Sequence, residues 1–321
     1  MGAFSFDIFW LLAAFGSGAF ATAIGGVESF VLTGVFAIVG TCISMGAAIL
    51  GIGGEAAANL SGIAGNIAFG MFGPHIAFAG AVAGAAYAKK AGKLENGADI
   101  VTPVSSCNDP MSLIVGGVFG VIGYLFKGII VDNLFQNAAN GWVHSAKLVT
   151  DGPGFTVFCS AIVVRLIFGG SIKTGQGIKS EGSAWTNMLT MGVTYSLMTS
   201  GVFLGLMNAF KDDAAVKAAI SGNYAVMCFG IAAVGLTFAC GGLAFYGCHQ
   251  ILLISALACV TCYGKTGSTF GALIAGVVFG VIAAIINDSE TVAMNSGDVS
   301  HIDGPATAIF ISTFIINAIW G

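Results

Sequence analysis

Charge is what this chain has least of. Only 8% of its 321 residues are charged, against about a quarter in a soluble domain. So few charges cannot cover a water-facing surface. Arginine occurs once, at Arg165, and the net charge is −4. That leaves no basic patch to neutralise phosphates and excludes nucleic acid as a partner. No polar stretch is long enough to build an extramembrane core. The opening Met1–Asp7 has no basic n-region, so the helix from Ile8 is expected to be retained rather than cleaved. Gly2 does not signal myristoylation, because position 6 is Phe rather than Ser or Thr. Zinc motifs, nucleophile elbows and phosphate loops are missing too, which argues against an enzyme.

What the chain does have is apolar length and glycine. Hydrophobic residues make up 56% of it and glycines number 49. Runs suited to a ~30 Å hydrocarbon core fall at 8–24, 29–50, 56–72, 74–88, 111–131, 153–170, 187–210, 223–240, 243–263, 268–287 and 305–320. The fold class expected is an all-α integral membrane protein of about eleven transmembrane or half-spanning helices. The pair 56–72 and 74–88, interrupted at Gly73-Pro74, reads as a re-entrant hairpin or a broken helix. Glycine inside such helices permits the close contact that lipid-embedded packing relies on. Trp10, Trp185 and Trp320 lie near helix ends, where interfaces favour aromatic rings. The lysines do not orient the chain: Lys89, Lys90 and Lys93 share one loop, while Lys147, Lys211, Lys217 and Lys265 fall on loops of opposite parity. The eight cysteines read as small buried hydrophobes, although Cys259-x-x-Cys262 resembles half of a metal or redox site.

An internal repeat is the most informative feature. Leu113–Ile122 matches Leu273–Ile282 at eight of ten positions. Asp151-Gly-Pro153 followed by Phe158 and Ser160 recurs as Asp303-Gly-Pro305 followed by Phe310 and Ser312. Upstream, Gly73-Pro-His75 pairs with Gly247-Cys-His249. The division expected is an additional N-terminal helix at 1–28, a first repeat at 29–172, a connection at 173–186 and a second repeat at 187–321. About five segments per unit would place the two copies in opposite orientations, the arrangement of many secondary transporters.

Polar residues inside apolar runs nominate the site, since an ionisable group in lipid costs about 2.5–3.5 kcal/mol. Glu55, Asn59 and Asn66 share a helical face after a glycine-rich break and could hold Na+ or carry H+; the alternative is a short loop with Glu55 in a first helical turn. Asn108 and Asp109 precede Pro110, either as an ordinary capped helix start or as an anion-facing N-terminus. The Asp-Gly-Pro motifs admit the same capping role. His75 and His249, with Gln250 beside the second, could relay protons or simply satisfy backbone carbonyls. Arg165 and Lys127 correspond to Asn317 and Asn287 by the repeat offset. Lys127 could snorkel. Arg165 calls for a carboxylate, by type Glu55 or Asp109, and either locks the bundle or holds an anion. His144 and His301 carry little weight.

The function expected is a transporter or channel for a small ion or polar solute, Na+ or H+ coupled, in the plasma membrane; the alternative is an ion-translocating or scaffold subunit of a larger membrane complex. No cofactor is expected beyond a bound cation. Partners expected are the lipid bilayer, the small ion or solute, and copies of the chain or subunits of a membrane complex.

Overall fold

The computed structural model describes residues 6–52, 55–135, 149–243 and 246–321, apart from the side chains of 55–58, 60 and 134. Every regular element among them is helical. The helices are α1 (Ile8–Ile24), α2 (Gly26–Ile49), α3 (Glu55–Asn66), α4 (Ala77–Lys90), α5 (Pro110–Leu125), α6 (Gly152–Phe168), α7 (Gly182–Ala209), α8 (Ala214–Gly235), α9 (Thr237–Cys240), α10 (His249–Thr266), α11 (Thr269–Met294) and α12 (Gly304–Trp320). Five helical stretches are long and apolar enough to cross a membrane: Gly26–Ile49, Pro110–Asn133, Gly182–Ala209, Ala214–Cys240 and Thr269–Met294. They mark a membrane protein. α1, α6 and α12 are apolar too but shorter. Ile114, Val118 and Ile122 on α5 are exposed, as are Ile274 and Val278 on α11. Such rows suit lipid, not water.

The Gly73-Pro74 interruption separates two helices that run the same way. Gly40 of α2 lies beside Ala64 and Gly26 beside Phe78 and Ala81, while Thr33 Oγ1 donates to Phe72 O at 2.6 Å. α2 is therefore antiparallel to the whole course of α3 and α4. The segment is a broken helix, with a π-helical turn at Ile67–Met71, rather than a hairpin.

Close packing rests on small residues, as expected where lipid removes the hydrophobic drive between helices. On α1, Gly18 and Thr22 press on Gly116 of α5, and Ala14 on Gly120. On α7, Ser200 meets Gly276 of α11, and Ser196 meets Gly280. α2 and α8 cross where Gly34 faces Gly230. One residue, Gly25, joins α1 to α2. Its φ is 108°, and a Cβ there would lie 2.0 Å from Glu28 Oε2 and 2.7 Å from Val101 O, so only glycine fits.

α6 and α12 meet tip to tip. Gly154 lies beside Ala306 O, Thr150 Oγ1 donates to Phe310 O at 2.5 Å, and Asn317 Nδ2 donates to Val149 O at 2.7 Å. At the other end Arg165 binds Ser300. The two helices are thus antiparallel, each flanked by the extended chain that leads into the other. The apolar core at this junction joins Phe30, Phe78, Val157, Phe229 and Ala306.

Two loops on the α6 C-terminal side are tied together. Lys89 forms an ion pair with Asp298, and Gly97 N donates to Asp298 O at 2.8 Å. Nearby, Asp99 accepts from Val101 N, Thr102 N and Thr102 Oγ1. Burial pushes the Asp99 carboxyl up, but these bonds outweigh it and hold it below the ordinary carboxylate value.

Candidate functional site

The Asp-Gly-Pro motifs build the site's floor. Asp151 Oδ1 accepts from Gly154 N at 2.6 Å, and Asp303 Oδ2 accepts from Ala306 N at 2.8 Å. Each aspartate caps its helix, and proline follows in the first turn, where its missing N–H costs nothing. The capping role therefore holds, but it does not exhaust these residues. Both carboxylates line one cavity of 380 Å3. Pro74, just before α4, and His249, the first residue of α10, line it as well. Four helix starts thus converge on a single space.

The cavity is walled by Phe30, Phe78, Phe229 and Leu253, with Asp151, Asp303, His249 and His301 as its polar groups. His301 Nε2 lies 3.2 Å from Asp303 Oδ1, and its ring is edge-on to Phe78 at 5.9 Å. His249 is held against Phe30 at 4.7 Å and edge-on to Phe229 at 6.1 Å. Its Nδ1 is buried without a hydrogen-bond partner among the described residues. Largely apolar walls with a few converging polar groups are what small-ligand sites present.

A second cavity, of 400 Å3, holds Asn66, His75, Tyr124, Lys127 and Asp132. Lys127 Nζ pairs with Asp132 Oδ2 at 2.6 Å. His75 is buried, and its Nδ1 also lacks a partner among the described residues. Among the described residues, nine buried side-chain atoms lack a hydrogen bond, and four of them are the pairs His75/His249 Nδ1 and Ser160/Ser312 Oγ. The two histidines and the two serines stand at matching places in the Gly73-Pro-His75/Gly247-Cys-His249 and Asp151-Gly-Pro153/Asp303-Gly-Pro305 sequence matches.

The sequence-nominated residues therefore scatter. Asn66 and His75 come together. Asn59 is exposed and lines neither cavity, and the Glu55 side chain lies outside the described residues. Asp109 caps α5 through Ser112 N at 3.2 Å and Ser112 Oγ at 2.6 Å; Asn108 precedes it, exposed, with φ 53°. Gln250 is buried: Nε2 donates to Gly247 O at 3.0 Å and Oε1 has no partner. His144 lies outside the described residues. All eight cysteines are free, and among the described residues no three metal-binding side chains gather.

Arg165 is fully buried and faces protein. Asp109 is not among its hydrogen-bond partners, and the Glu55 side chain lies outside the described residues. Nε donates to Ser300 Oγ at 2.7 Å, Nη2 to Ser300 O at 2.5 Å, and Nη1 to Ser171 O at 3.0 Å and Met294 O at 3.1 Å. Carbonyls satisfy the guanidinium because the chain leading to α12 runs alongside α6. Two functional candidates escaped the sequence reading. His301 sits on the loop before α12, as its place in the sequence implies, but that loop lines the cavity; Glu290 falls past the expected helix end at 287. α11 continues to Met294 and carries Glu290 inside, 6% exposed. The missed signal was Glu290 spaced i, i+3 from Asn287.

A family model covers residues 2–192 and 194–320. The chain belongs to DUF7973, a family of unknown function. No curated protein and no solved structure matches it.

Proposed function

We propose that this protein transports a small ion or polar solute, using two oppositely oriented copies of one six-helix unit that share the central cavity. The observation carrying this reading is the antiparallel, tip-to-tip meeting of α6 and α12 at that cavity, each helix opening with the same Asp-Gly-Pro turn. Helix starts aimed at a shared midpoint are the arrangement by which inverted-repeat transporters build substrate sites.

The unit we infer runs α1–α6 and α7–α12. It takes in the first helix, set apart at 1–28 on sequence grounds, as the counterpart of α7. Two contacts support this pairing. α1 packs on Gly116 and Gly120, and α7 packs on Gly276 and Gly280, which are the same repeat positions. The α2–α8 crossing is reciprocal: Gly34 meets Gly230 and Val234, while Gly230 meets Gly34 and Ile38. A self-complementary contact of this kind is what a two-fold axis produces.

The cavity's two carboxylates and two imidazoles favour a cationic or protonatable solute. The test is flux into proteoliposomes, screening Na+, K+, H+, small anions and small amines, with Asp303→Asn as control. Uptake of one class, reduced at least tenfold in folded Asp303→Asn, is the expected outcome. Solute uptake indifferent to Asp303→Asn would remove the cavity from the pathway.

A further inference from the structure

At the end of α11 three oxygens converge. A Cβ on Gly304 would lie 2.6 Å from Asn287 Oδ1, 2.6 Å from Glu290 Oε2 and 2.8 Å from Thr291 Oγ1. Asn287 Nδ2 donates to Tyr246 Oη at 2.9 Å, which leaves Oδ1 on the Gly304 side. Glu290 is 6% exposed, and neither of its carboxylate oxygens has a hydrogen-bond partner among the described residues. Buried carboxylates without donors are costly and rare. Arg165 is close enough for its charge to reach Glu290, but its hydrogen bonds go to Ser300, Ser171 and Met294. Asp303 adds a second negative charge nearby.

The first half fills the corresponding place differently. Gly152, the counterpart of Gly304, is bordered by Lys127, Val131 and Asp132. Lys127 and Val131 occupy the repeat positions of Asn287 and Thr291. There an ammonium lies 2.6 Å from the Asp132 carboxylate, and its charge also reaches Asp151. One half has a tethered cation beside the α6 start. The other has a carboxylate, an amide oxygen and a hydroxyl beside the α12 start, and no side-chain cation bonded to them among the described residues.

We propose that Glu290, Asn287 and Thr291 bind an exchangeable monovalent metal cation, in the place where the first half keeps the Lys127 ammonium. Hard cations take oxygen ligands of this type. One unpaired carboxylate with two neutral oxygens suits a single positive charge, as its counterpart does. The proposal rests on the repeat pairing above and deepens the transport reading by naming a coupling ion and its ligands.

The test is thermal unfolding of the purified full-length chain in detergent, with choline replaced by Na+, Li+ or K+ at constant ionic strength. At least one metal cation should raise the melting temperature saturably over choline. Glu290→Gln and Thr291→Val should abolish that shift. Asn287→Lys should abolish it too, while melting at or above the temperature of the cation-loaded wild type, because it installs the tethered ammonium. If Glu290→Gln does not fold, Asn287→Lys and Thr291→Val still decide. Identical melting of the wild type in choline and in all three cations overturns the proposal, as does a shift that persists in the variants. Flux without cation dependence would sink this site and spare the transport reading. Binding without flux would do the reverse.

Discussion

The packing of α1 on α5 and of α7 on α11 uses the same glycine positions, yet the far ends of α5 and α11 have diverged. In the first pair Thr22 reaches Gly116, and in the second Ser200 reaches Gly276. Past this seam α5 passes into a π-helical stretch, Phe126–Phe135, carrying the Lys127–Asp132 pair. α11 stays α-helical to Met294 and carries Asn287, Glu290 and Thr291. Close packing allows few substitutions, so under the proposed repeat it would preserve what the two units share, and the polar ends would be where they take separate roles.

The largest effect should come from the part of α5 that meets the chain just before α4. Gly123 sits where a Cβ would lie 1.7 Å from His75 O, a backbone atom unable to move aside. The equivalent position in α11 is Ala283, fully buried. Gly123→Ala should cost about 3 kcal/mol or more through overpacking, whereas Ala283→Gly should cost only about 1 kcal/mol. Melting curves of the two purified variants check this, and equal losses would break the asymmetry.

Next come the equivalent residues Arg165 and Asn317, each binding the chain that leads into the other half's short helix. Arg165→Leu strands several buried carbonyls and should cost about 3 kcal/mol. Asn317→Leu, losing one bond, should cost about 1 kcal/mol. Expression and monodispersity should fall in that order, ahead of any change in selectivity.

Lys127→Met should cost about 2 kcal/mol, discounted for a pair whose side chains are 25% and 22% exposed. Adding Asp132→Asn should recover part of the loss, giving a coupling term in a double-mutant cycle. Additive losses would mean that the ion pair holds nothing. The smallest effect concerns Asp298, whose carboxyl is held below its ordinary value by the Lys89 bond. A depressed carboxylate contributes above its unfolded value and loses that contribution as pH falls through the folded one. Asp298→Asn should therefore narrow the difference in melting temperature between neutral and acid pH only slightly, since the pair is solvent-screened.

Much of this architecture is legible in the sequence because lipid demands apolar length and close packing demands small residues. The Leu113–Ile122 and Leu273–Ile282 match points directly at the two seams. The Asp-Gly-Pro turns announce both short helices. The site was less readable. Glu290 was hidden because a charge at the end of an apolar run looks like the start of a loop. Arg165 has carbonyl partners contributed by chain that precedes α12, a pairing no local spacing reveals. The tip-to-tip contact of α6 and α12, which gathers His249, His301 and the two aspartates, joins residues about 150 positions apart through tertiary packing alone.

Whether the two halves face opposite ways across the bilayer can be measured directly. Single cysteines at Lys173, just beyond the α6 C-terminus, and at Gly321, just beyond the α12 C-terminus, would be placed in a background lacking the native cysteines. A membrane-impermeant maleimide applied to sealed vesicles should label one of them, and labelling the other should require permeabilisation. Labelling of both from the same side would contradict the inverted arrangement and with it the proposed site.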